Sequence, residues 1–388
     1  MKELTRPAWL EINLNDLACN YNQIRKALNK GTDLMAIIKA DAYENGAIQI
    51  ANELMKQGVD KFGVATLSEA LHIRKSIEGA KILIMGYTPD YLMKKAIEED
   101  IDITVYMVEQ AKLASELAKK LNKDALIHIK IETGMNRLGF MPTEESIMAI
   151  QKIYSMNNIK IEGIFTHFAA SDNDPSYTFN QAKKFDYIVD GLKKLGLRIP
   201  LRHVSNSAAI MRYRELDYDM VRAGIILYGV YTSPDEDRDT VHLTNILSLK
   251  AQISNVKEIE KGEKISYGLT YETLRKSKIA TVPIGYADGY SRSLSNKGSV
   301  IVKNTIVPVV GRICMDQLMI DVTELDVKVG DEVVLMGKSG DKEITIEEIA
   351  MKIGGIPAEV FCMMNKRLPR VYIKDGKVEE VVDYLLEI

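Results

Sequence analysis

Short apolar runs alternate with helical stretches over the first two thirds of the chain. The runs are rich in β-branched residues, as strands of a buried parallel sheet are. Eight of them lie at residues 34–38, 62–65, 82–85, 103–106, 126–131, 161–168, 201–204 and 220–227. Between them apolar residues recur every three or four positions, as at Leu113, Leu117 and Leu121, which gives a helix one apolar face. The pattern predicts repeated βα units around a parallel sheet.

Eight such strands are enough to close into a barrel. Eight parallel strands, each followed by a helix, form the (β/α)8 TIM barrel, which typically takes about 250 residues. We therefore predict an α/β chain whose barrel spans residues 1–242. In this fold the reacting groups lie at the C-terminal mouth, where the strands end.

The pattern changes after residue 242. Helical periodicity fades, and strand-like runs follow at residues 247–256, 278–282, 299–310, 318–322 and 332–336. Turn-forming pairs such as Lys261-Gly262 and Val329-Gly330 lie between runs. We predict that residues 243–388 form a second, mainly antiparallel β domain, a boundary that rests on the change of period alone.

Composition narrows the class of partner. Hydrophobic residues make up 46% and charged residues 27% of the chain, and the formal net charge is −3. This is an ordinary globular composition with no basic field to attract nucleic acid or an anionic membrane, so a small-molecule partner is expected.

The cysteines and the apolar runs bear on the compartment. Three scattered cysteines, Cys19, Cys314 and Cys362, predict neither a disulfide framework nor a metal site. The first residues lack the apolar core of a secretion signal, and no run approaches the roughly 18 apolar residues of a membrane span. We expect a cytoplasmic protein.

Lys39 directly follows the first strand-like run, at the predicted barrel mouth. Apolar surroundings lower the pKa of a lysine amine and make it a nucleophile for a carbonyl group. The sequence therefore indicates imine chemistry, although a lysine that merely extends into solvent fits the position too.

Lys130 lies on the fifth run, where strict alternation puts it on one face with His128. If the isoleucines face the helices, the Lys130 amine points into the barrel and needs a carboxylate partner, deprotonation or covalent modification. An ordinary ion pair with Glu132 or Asp172 is the alternative. Arg137, in the following loop, suits a carboxylate or a phenolate oxygen.

The last three strands end in polar residues. His167, His203, Ser207 and Gly224 lie at or just beyond these ends, where such barrels commonly bind phosphate. Each alone is also typical of a core histidine or a helix cap. Together with Lys39 and an arginine near a heteroaromatic ring, they point to pyridoxal phosphate.

At this point the chain resembles the alanine racemase family over nearly its whole length. The matching stretches, in order, are residues 39–43, 130–139, 162–168, 206–209, 221–225, 266–268, 283–289 and 311–317. The resemblance implies a pyridoxal-phosphate-dependent racemase that interconverts L-alanine and D-alanine for peptidoglycan. It also implies a homodimer in which the second domain of one subunit completes the barrel mouth of the other.

The resemblance further implies roles for single residues. Lys39 would hold the cofactor as an imine and exchange the substrate proton on the D face, while the partner subunit's Tyr267 would act on the L face. Arg137 and the Met315 amide would hold the substrate carboxylate, and a carbamylated Lys130 would fix Arg137. Further cofactor-binding residues would be Tyr43, His167, Asn206, Ser207, Arg222, Gly224 and Ile225, and the entrance would be lined by Tyr271, Tyr286, Arg292, Arg312 and Ala358.

Two places depart from the family pattern. Residues 44–46 read Glu-Asn-Gly where the family has Gly-His-Gly, and Ala358 replaces a tyrosine that reaches the cofactor phosphate and narrows the entrance. Ala358 predicts a roomier mouth, so a serine or broader small-amino-acid racemase is the nearest alternative. A pyridoxal-phosphate decarboxylase of basic amino acids would carry a different cysteine motif than residues 311–316, and a non-catalytic carrier would not need the second domain.

Overall fold

The computed structural model describes residues 4–386 apart from residues 234, 236, 237, 239 and 240. It divides into two compact units. The barrel unit contains Leu17–Ala42 and Ala47–Thr244, and the strand unit contains the described residues up to Asp16, then Tyr43–Gly46, and those from Asn245 onward. No helix among the described residues is both long and apolar enough to cross a membrane.

Strands and helices are numbered along the described chain. The strands are β1 Ala8–Asn13, β2 Asp33–Ile37, β3 Lys61–Val64, β4 Lys81–Ile84, β5 Asp102–Val105, β6 Ala125–Lys130, β7 Ile159–Phe165, β8 Leu201–His203, β9 Met220–Ala223, β10 Leu247–Gln252, β11 Asn255–Ile259, β12 Lys264–Ile265, β13 Tyr271–Glu272, β14 Ser277–Val282, β15 Ser299–Val302, β16 Thr305–Val310, β17 Leu318–Asp321, β18 Glu332–Ser339, β19 Lys342–Ile344, β20 Arg370–Lys374 and β21 Lys377–Val382. The helices are α1 Leu14–Ala27, α2 Lys39–Glu44, α3 Ala47–Lys56, α4 Leu67–Ser76, α5 Asp90–Glu98, α6 Val108–Leu121, α7 Glu144–Tyr154, α8 Pro175–Lys194, α9 Ser207–Arg212, α10 Ile346–Ile353 and α11 Pro357–Met363. Short 3-10 turns cover Arg214–Leu216, Ile225–Tyr228, Tyr267–Leu269, Tyr286–Asp288 and Arg292–Leu294.

Eight parallel strands form the barrel, in the order β8-β7-β6-β5-β4-β3-β2-β9. Two backbone hydrogen bonds join the two ends of this order, from Asp219 N–H to Arg202 C=O at 3.1 Å and from Arg222 N–H to Ser205 C=O at 3.0 Å. Several strands, such as β5 and β9, are buried along their full length, because helices cover the outer face and side chains fill the interior. The predicted fold class is confirmed.

The strand unit is built on a mainly antiparallel sheet. Its order is β11-β14-β17-β16-β15-β18-β10-β1-β20-β21, with β19 paired to β18. Strand β1, which the sequence analysis placed with the barrel, pairs antiparallel with β10 and parallel with β20. Strand β1 therefore belongs to the strand unit, because its backbone N–H and C=O groups form their hydrogen bonds there and not in the barrel.

Two runs that were each predicted as one strand of the strand unit are divided between two strands in the structure. Residues 247–256 break between β10 and β11, and residues 299–310 form the hairpin of β15 and β16. The hairpin turns at Lys303 and Asn304, whose φ angles are 46° and 59°. Two consecutive positive φ values are the geometry of a type I′ turn, which Asn favours more than Lys does.

Candidate active site

The charged residues singled out in the barrel meet at its C-terminal mouth. Lys39 follows β2, Lys130 ends β6, and Arg222 lies on β9. Burial lowers the pKa of His167 well below its usual value, and four nearby cations lower it further, namely Arg222, Lys130, Arg137 and Lys39. The mouth therefore concentrates positive charge, which suits an anionic ligand.

Lys39 begins a short helix with left-handed backbone. The φ angles of Ala40, Asp41, Ala42, Tyr43 and Glu44 lie between 52° and 63°. For L-residues other than glycine this conformation costs about 1–2 kcal/mol each, and such strain concentrates at functional sites. The sequence did not predict it, since the stretch Ala-Asp-Ala-Tyr-Glu contains no glycine, the residue that adopts left-handed backbone most readily.

Glu69 anchors the backbone beside Lys39. Its carboxylate accepts the Ala40 N–H at 2.9 Å with one oxygen, and the Ala65 N–H at 2.7 Å and the Thr66 N–H at 3.2 Å with the other. Glu69 also completes the capping box of α4 with Thr66. Glu69 was not among the residues predicted from the sequence, although Thr66 followed three positions later by glutamate is a recognisable capping signal.

Lys130 is buried in the barrel, with 3% of its surface exposed. Its Nζ donates to the Ile131 carbonyl at 3.1 Å and lies 5.1 Å from the centre of the Phe165 ring. It makes no ion pair with any described residue, and Glu132 instead accepts the Gly134 and Arg137 amides at 2.6 and 3.0 Å. Burial, with the Arg222 charge, lowers the Lys130 pKa to about 7. Of the alternatives left open by the sequence, the ion pair with Glu132 or Asp172 is absent.

Arg137 is exposed at the mouth. Its guanidinium forms no hydrogen bond or ion pair with the residues that the structure describes, although its charge lowers the pKa of both Lys130 and Arg222. An unpaired guanidinium beside two other cations is well placed to bind a carboxylate in a bidentate way.

Arg222 is fixed by hydrogen bonds through both of its terminal nitrogens. They reach the carbonyls of His203 and Thr166 at 2.7 Å and that of Val204 at 2.9 Å, and the ring nitrogens Nδ1 of His203 and His167 at 3.1 and 3.3 Å. Its Nε–H makes no hydrogen bond within the described chain and is the donor left for a ligand. Burial and the Arg137 charge lower the Arg222 pKa to about 9, so the side chain stays protonated at neutral pH.

Ser207 and Gly224 lie together beside Arg222's strand. The Gly224 N–H donates to Ser207 Oγ at 3.0 Å, which leaves the Ser207 O–H to donate elsewhere. Ile225, next along the chain, is partly exposed. Asn206 caps α9 by accepting the Ala209 N–H at 3.1 Å and also accepts the Ser171 hydroxyl at 2.8 Å. Asn206 therefore shapes this loop and has its side-chain oxygen already engaged.

The strand unit presents Tyr267 at the start of a 3-10 turn. The Tyr267 side chain is 71% exposed, and the preceding Ser266, with φ 67°, donates its hydroxyl to the Arg312 carbonyl at 2.5 Å. A Cβ on Gly268 would lie 2.8 Å from the Arg312 guanidinium, so glycine lets that side chain lie against the turn. An exposed phenol on a braced turn is suited to act on a ligand and does not serve the core of its own unit.

The remaining predicted residues of the strand unit are distributed as follows. Met315 and Tyr286 are 53% and 40% exposed, Arg292 is exposed, and Tyr271 and Ala358 are partly exposed.

Burial raises the pKa of Tyr43 to about 12, so its hydroxyl stays protonated and can donate a hydrogen bond. No group of three histidine, cysteine or acidic side chains among the described residues could hold a metal ion.

Comparison with known proteins identifies the family. The model of the alanine racemase N-terminal domain matches residues 12–232, and that of the C-terminal domain matches residues 246–372. Alanine racemase 1 of Clostridium acetobutylicum is 46% identical over 98% of this chain and 99% of its own length. The alanine racemase of Clostridium tetani is 47% identical over the same shares.

Solved structures agree as well. An alanine racemase of Clostridium difficile 630 superposes with a TM-score of 0.95 at 44% identity, covering 99% of this chain and 100% of that one. The alanine racemase of Bacillus anthracis, solved with bound L-Ala-P, has a TM-score of 0.93 at 33% identity, with the same coverage of both chains. Two domain models and full-length relatives thus show that the chain belongs to the alanine racemase family.

Proposed function

We propose that the chain carries out its alanine racemase activity with two bases, Lys39 and the Tyr267 of a second copy, on opposite faces of the substrate. Inverting Cα requires removal of a proton on one face and delivery on the other. The observation that carries the proposal is the cationic barrel mouth, in which Lys130, Arg137 and Arg222 have no ion pair among the described residues. Such a mouth fits a ligand with two anionic groups.

The residues present fit pyridoxal phosphate, which the family uses. The unengaged Nε–H of Arg222 suits the ring nitrogen, and the Ser207 hydroxyl with the amides beyond Gly224 suits the phosphate; Tyr43 and Ile225 would complete that cradle, with His167 supporting Arg222. When bound, this cofactor withdraws electrons from Cα and weakens its C–H bond. Lys39 would hold it covalently, and a guanidinium that stays protonated would donate to the ring nitrogen without protonating it.

Arg137 would bind the substrate carboxylate, with the Met315 amide as a second donor. Replacing Arg137 with methionine is expected to raise the KM for alanine about 10- to 100-fold, because a charged hydrogen bond is worth about 1.5–3 kcal/mol. The kcat should fall much less, and steady-state kinetics in both directions would measure this. An unchanged KM would remove Arg137 from carboxylate binding.

Lys130 would carry a carbamate that fixes Arg137. The neutral amine attacks carbon dioxide, a nitrogen–carbon bond forms as one C=O electron pair moves to oxygen, and the nitrogen proton leaves to solvent. A pKa of about 7 leaves the amine neutral above pH 7 and protonated below it. We therefore expect native mass spectrometry in bicarbonate to show one added carbon dioxide at pH 8, less at pH 6, and none in Lys130→Met. An unmodified mass at pH 8 would contradict this assignment.

A second copy of the chain would cover the exposed face around Tyr267. Large apolar side chains lie exposed on the strand unit, among them Tyr267, Leu269, Leu274, Met315 and Ile356. Exposed apolar side chains of this number commonly mark an interface. We infer a homodimer in which each subunit supplies Tyr267 to the other, with Tyr271, Tyr286, Arg292 and Arg312 at the entrance.

Ala358 favours a wider substrate range. It lies in the first turn of α11 and is partly exposed, and it lacks the ring and hydroxyl of the tyrosine found elsewhere in the family. We expect circular dichroism to show racemisation of L-alanine and, more slowly, of L-serine, and Ala358→Tyr to suppress the serine reaction more than the alanine reaction. If the circular dichroism of L-alanine decays while that of L-serine stays constant, the enzyme acts on alanine and not on serine.

The cellular role follows from the product. We infer that the enzyme supplies D-alanine for peptidoglycan, and that it works in the cytoplasm, a reducing compartment. Its three cysteines are widely scattered along the chain, which fits such a compartment.

A further inference from the structure

A chain of four hydrogen-bonded side chains runs through the barrel from Arg222. Arg222 Nη1 lies 3.1 Å from His203 Nδ1, His203 Nε2 lies 2.9 Å from His128 Nδ1, and His128 Nε2 lies 3.2 Å from Asp102 Oδ2. The exposed fractions are 3% for Arg222, 0% for His203, 2% for His128 and 9% for Asp102. Such a buried polar chain costs stability unless every member is satisfied.

Only one assignment of donors and acceptors fits all three hydrogen bonds. A guanidinium donates and never accepts, so His203 Nδ1 must accept and His203 carries its proton on Nε2. His128 Nδ1 then accepts that proton, and His128 donates its own Nε2–H to the Asp102 carboxylate. Both histidines are thereby neutral, in agreement with the lowered pKa that burial gives His203.

The surroundings hold the two histidine rings in place. The His203 ring stacks on the Phe165 ring, with centroids 4.8 Å apart and planes 6° apart. A Cβ on Gly163 would lie 2.5 Å from His128 Nδ1, so only glycine at this position admits the His128 ring. Strand β7 is thus shaped for the histidine chain.

Asp102, at the far end of this series of hydrogen bonds, lines a small cavity at the amino-terminal ends of the strands. The cavity has a volume of about 30 Å³ and is lined by charged residues that include Asp102, Lys61, Lys81 and Glu162, enough room for water. Lys160 also acts on Asp102 electrostatically. Asp102 and His128 both line this cavity, so they lie between the charged amino-terminal end of the barrel and the fully buried His203.

We propose that Asp102 and His128 are positioning residues for the racemase reaction, which act through His203 to fix the Arg222 guanidinium. Asp102 selects the His128 tautomer, His128 selects the His203 tautomer, and His203 then accepts from Arg222. The role in the reaction rests on the proposed function of Arg222 as the donor to the cofactor ring nitrogen. Without an acceptor at position 102 the chain has no partner for the His128 Nε2–H.

Three variants separate the charge, the acceptor and the cavity. Asp102→Asn keeps an acceptor oxygen and removes the charge, Asp102→Leu removes both, and Glu162→Gln changes a carboxylate that lines the same cavity but makes no hydrogen bond to His128. We expect Asp102→Leu to lower kcat about 10-fold or more, as loss of outer hydrogen-bond partners commonly does, with the KM for alanine changed less than twofold. Asp102→Asn should recover most of the kcat, and Glu162→Gln should match the unchanged enzyme.

A spectroscopic readout completes the test. In the holoenzyme labelled with ¹⁵N-histidine, His128 and His203 should both show a protonated Nε2 and an unprotonated Nδ1, and Asp102→Leu should alter both signals. Either histidine with its proton on Nδ1, or an unchanged kcat in Asp102→Leu, would overturn the proposal. If Asp102→Leu does not fold, the tautomers of the unchanged enzyme still decide. An enzyme that shows the expected tautomers but no racemisation would instead overturn the proposed function.

Discussion

Replacing Lys39 with alanine is expected to abolish racemisation in both directions and to remove the visible absorbance of the lysine-bound cofactor. Lys39 is assigned two tasks, covalent attachment and proton exchange on the D face. Loss of a general base alone costs about 10²–10⁴-fold, so the combined loss should leave activity at least about 10³-fold lower. Absorbance spectra and circular dichroism of L- and D-alanine would measure both effects.

The control for this variant is a lysine of the same unit that lies away from the mouth. Lys75, near the end of α4, is exposed, and Lys75→Ala should keep both the spectrum and the rate. If Lys39→Ala retained the absorbance band, the cofactor would be attached to another lysine. Lys130, whose pKa is lowered, would be the first to replace.

Tyr267→Phe is expected to lower kcat about 10³-fold in both directions, within the range for loss of one general acid or base. Racemisation needs both faces, so one missing base stops the full conversion whichever enantiomer is supplied. The KM should change little because the ring is kept. Tyr91→Phe, at a phenol that is 82% exposed on α5, is the control and should be unaffected.

A comparable kcat loss in Tyr91→Phe would show that the assay responds to any exposed phenol. Retention of kcat in Tyr267→Phe, with normal Tyr91→Phe, would require a different base on the L face, and Tyr271 or Tyr286 would be the next residues to replace.

The barrel was predictable from the sequence because burial on both faces leaves a strong signal. Strands β2 to β9 coincide with eight apolar runs, each followed by a helical period or a polar turn. Strand β1 was not predictable in this way, since its partners β10 and β20 lie more than 200 residues away along the chain and local pattern carries no information on such pairing.

The positions of Lys39 and Lys130 at one mouth followed from strand ends, because parallel strands bring their carboxyl ends together, whereas Arg222 was named through the family resemblance. Their environment did not follow. The left-handed backbone after Lys39, the three amides held by Glu69 and the direction of the histidine chain depend on contacts between residues far apart in sequence. The sequence left Lys130 either an ordinary ion pair or a deprotonated or modified amine. The structure shows a buried amine near the Arg222 charge, with its pKa lowered to about 7 and no ion pair among the described residues.

Exchange of the α-proton in deuterated water, followed by NMR for each enantiomer separately, tests the two-base account most directly. We expect the unchanged enzyme to exchange both enantiomers. Tyr267→Phe should exchange the α-proton of D-alanine through Lys39 without racemising it, and should leave L-alanine unexchanged. Equal exchange of both enantiomers by Tyr267→Phe would contradict the assignment of the two bases to opposite faces.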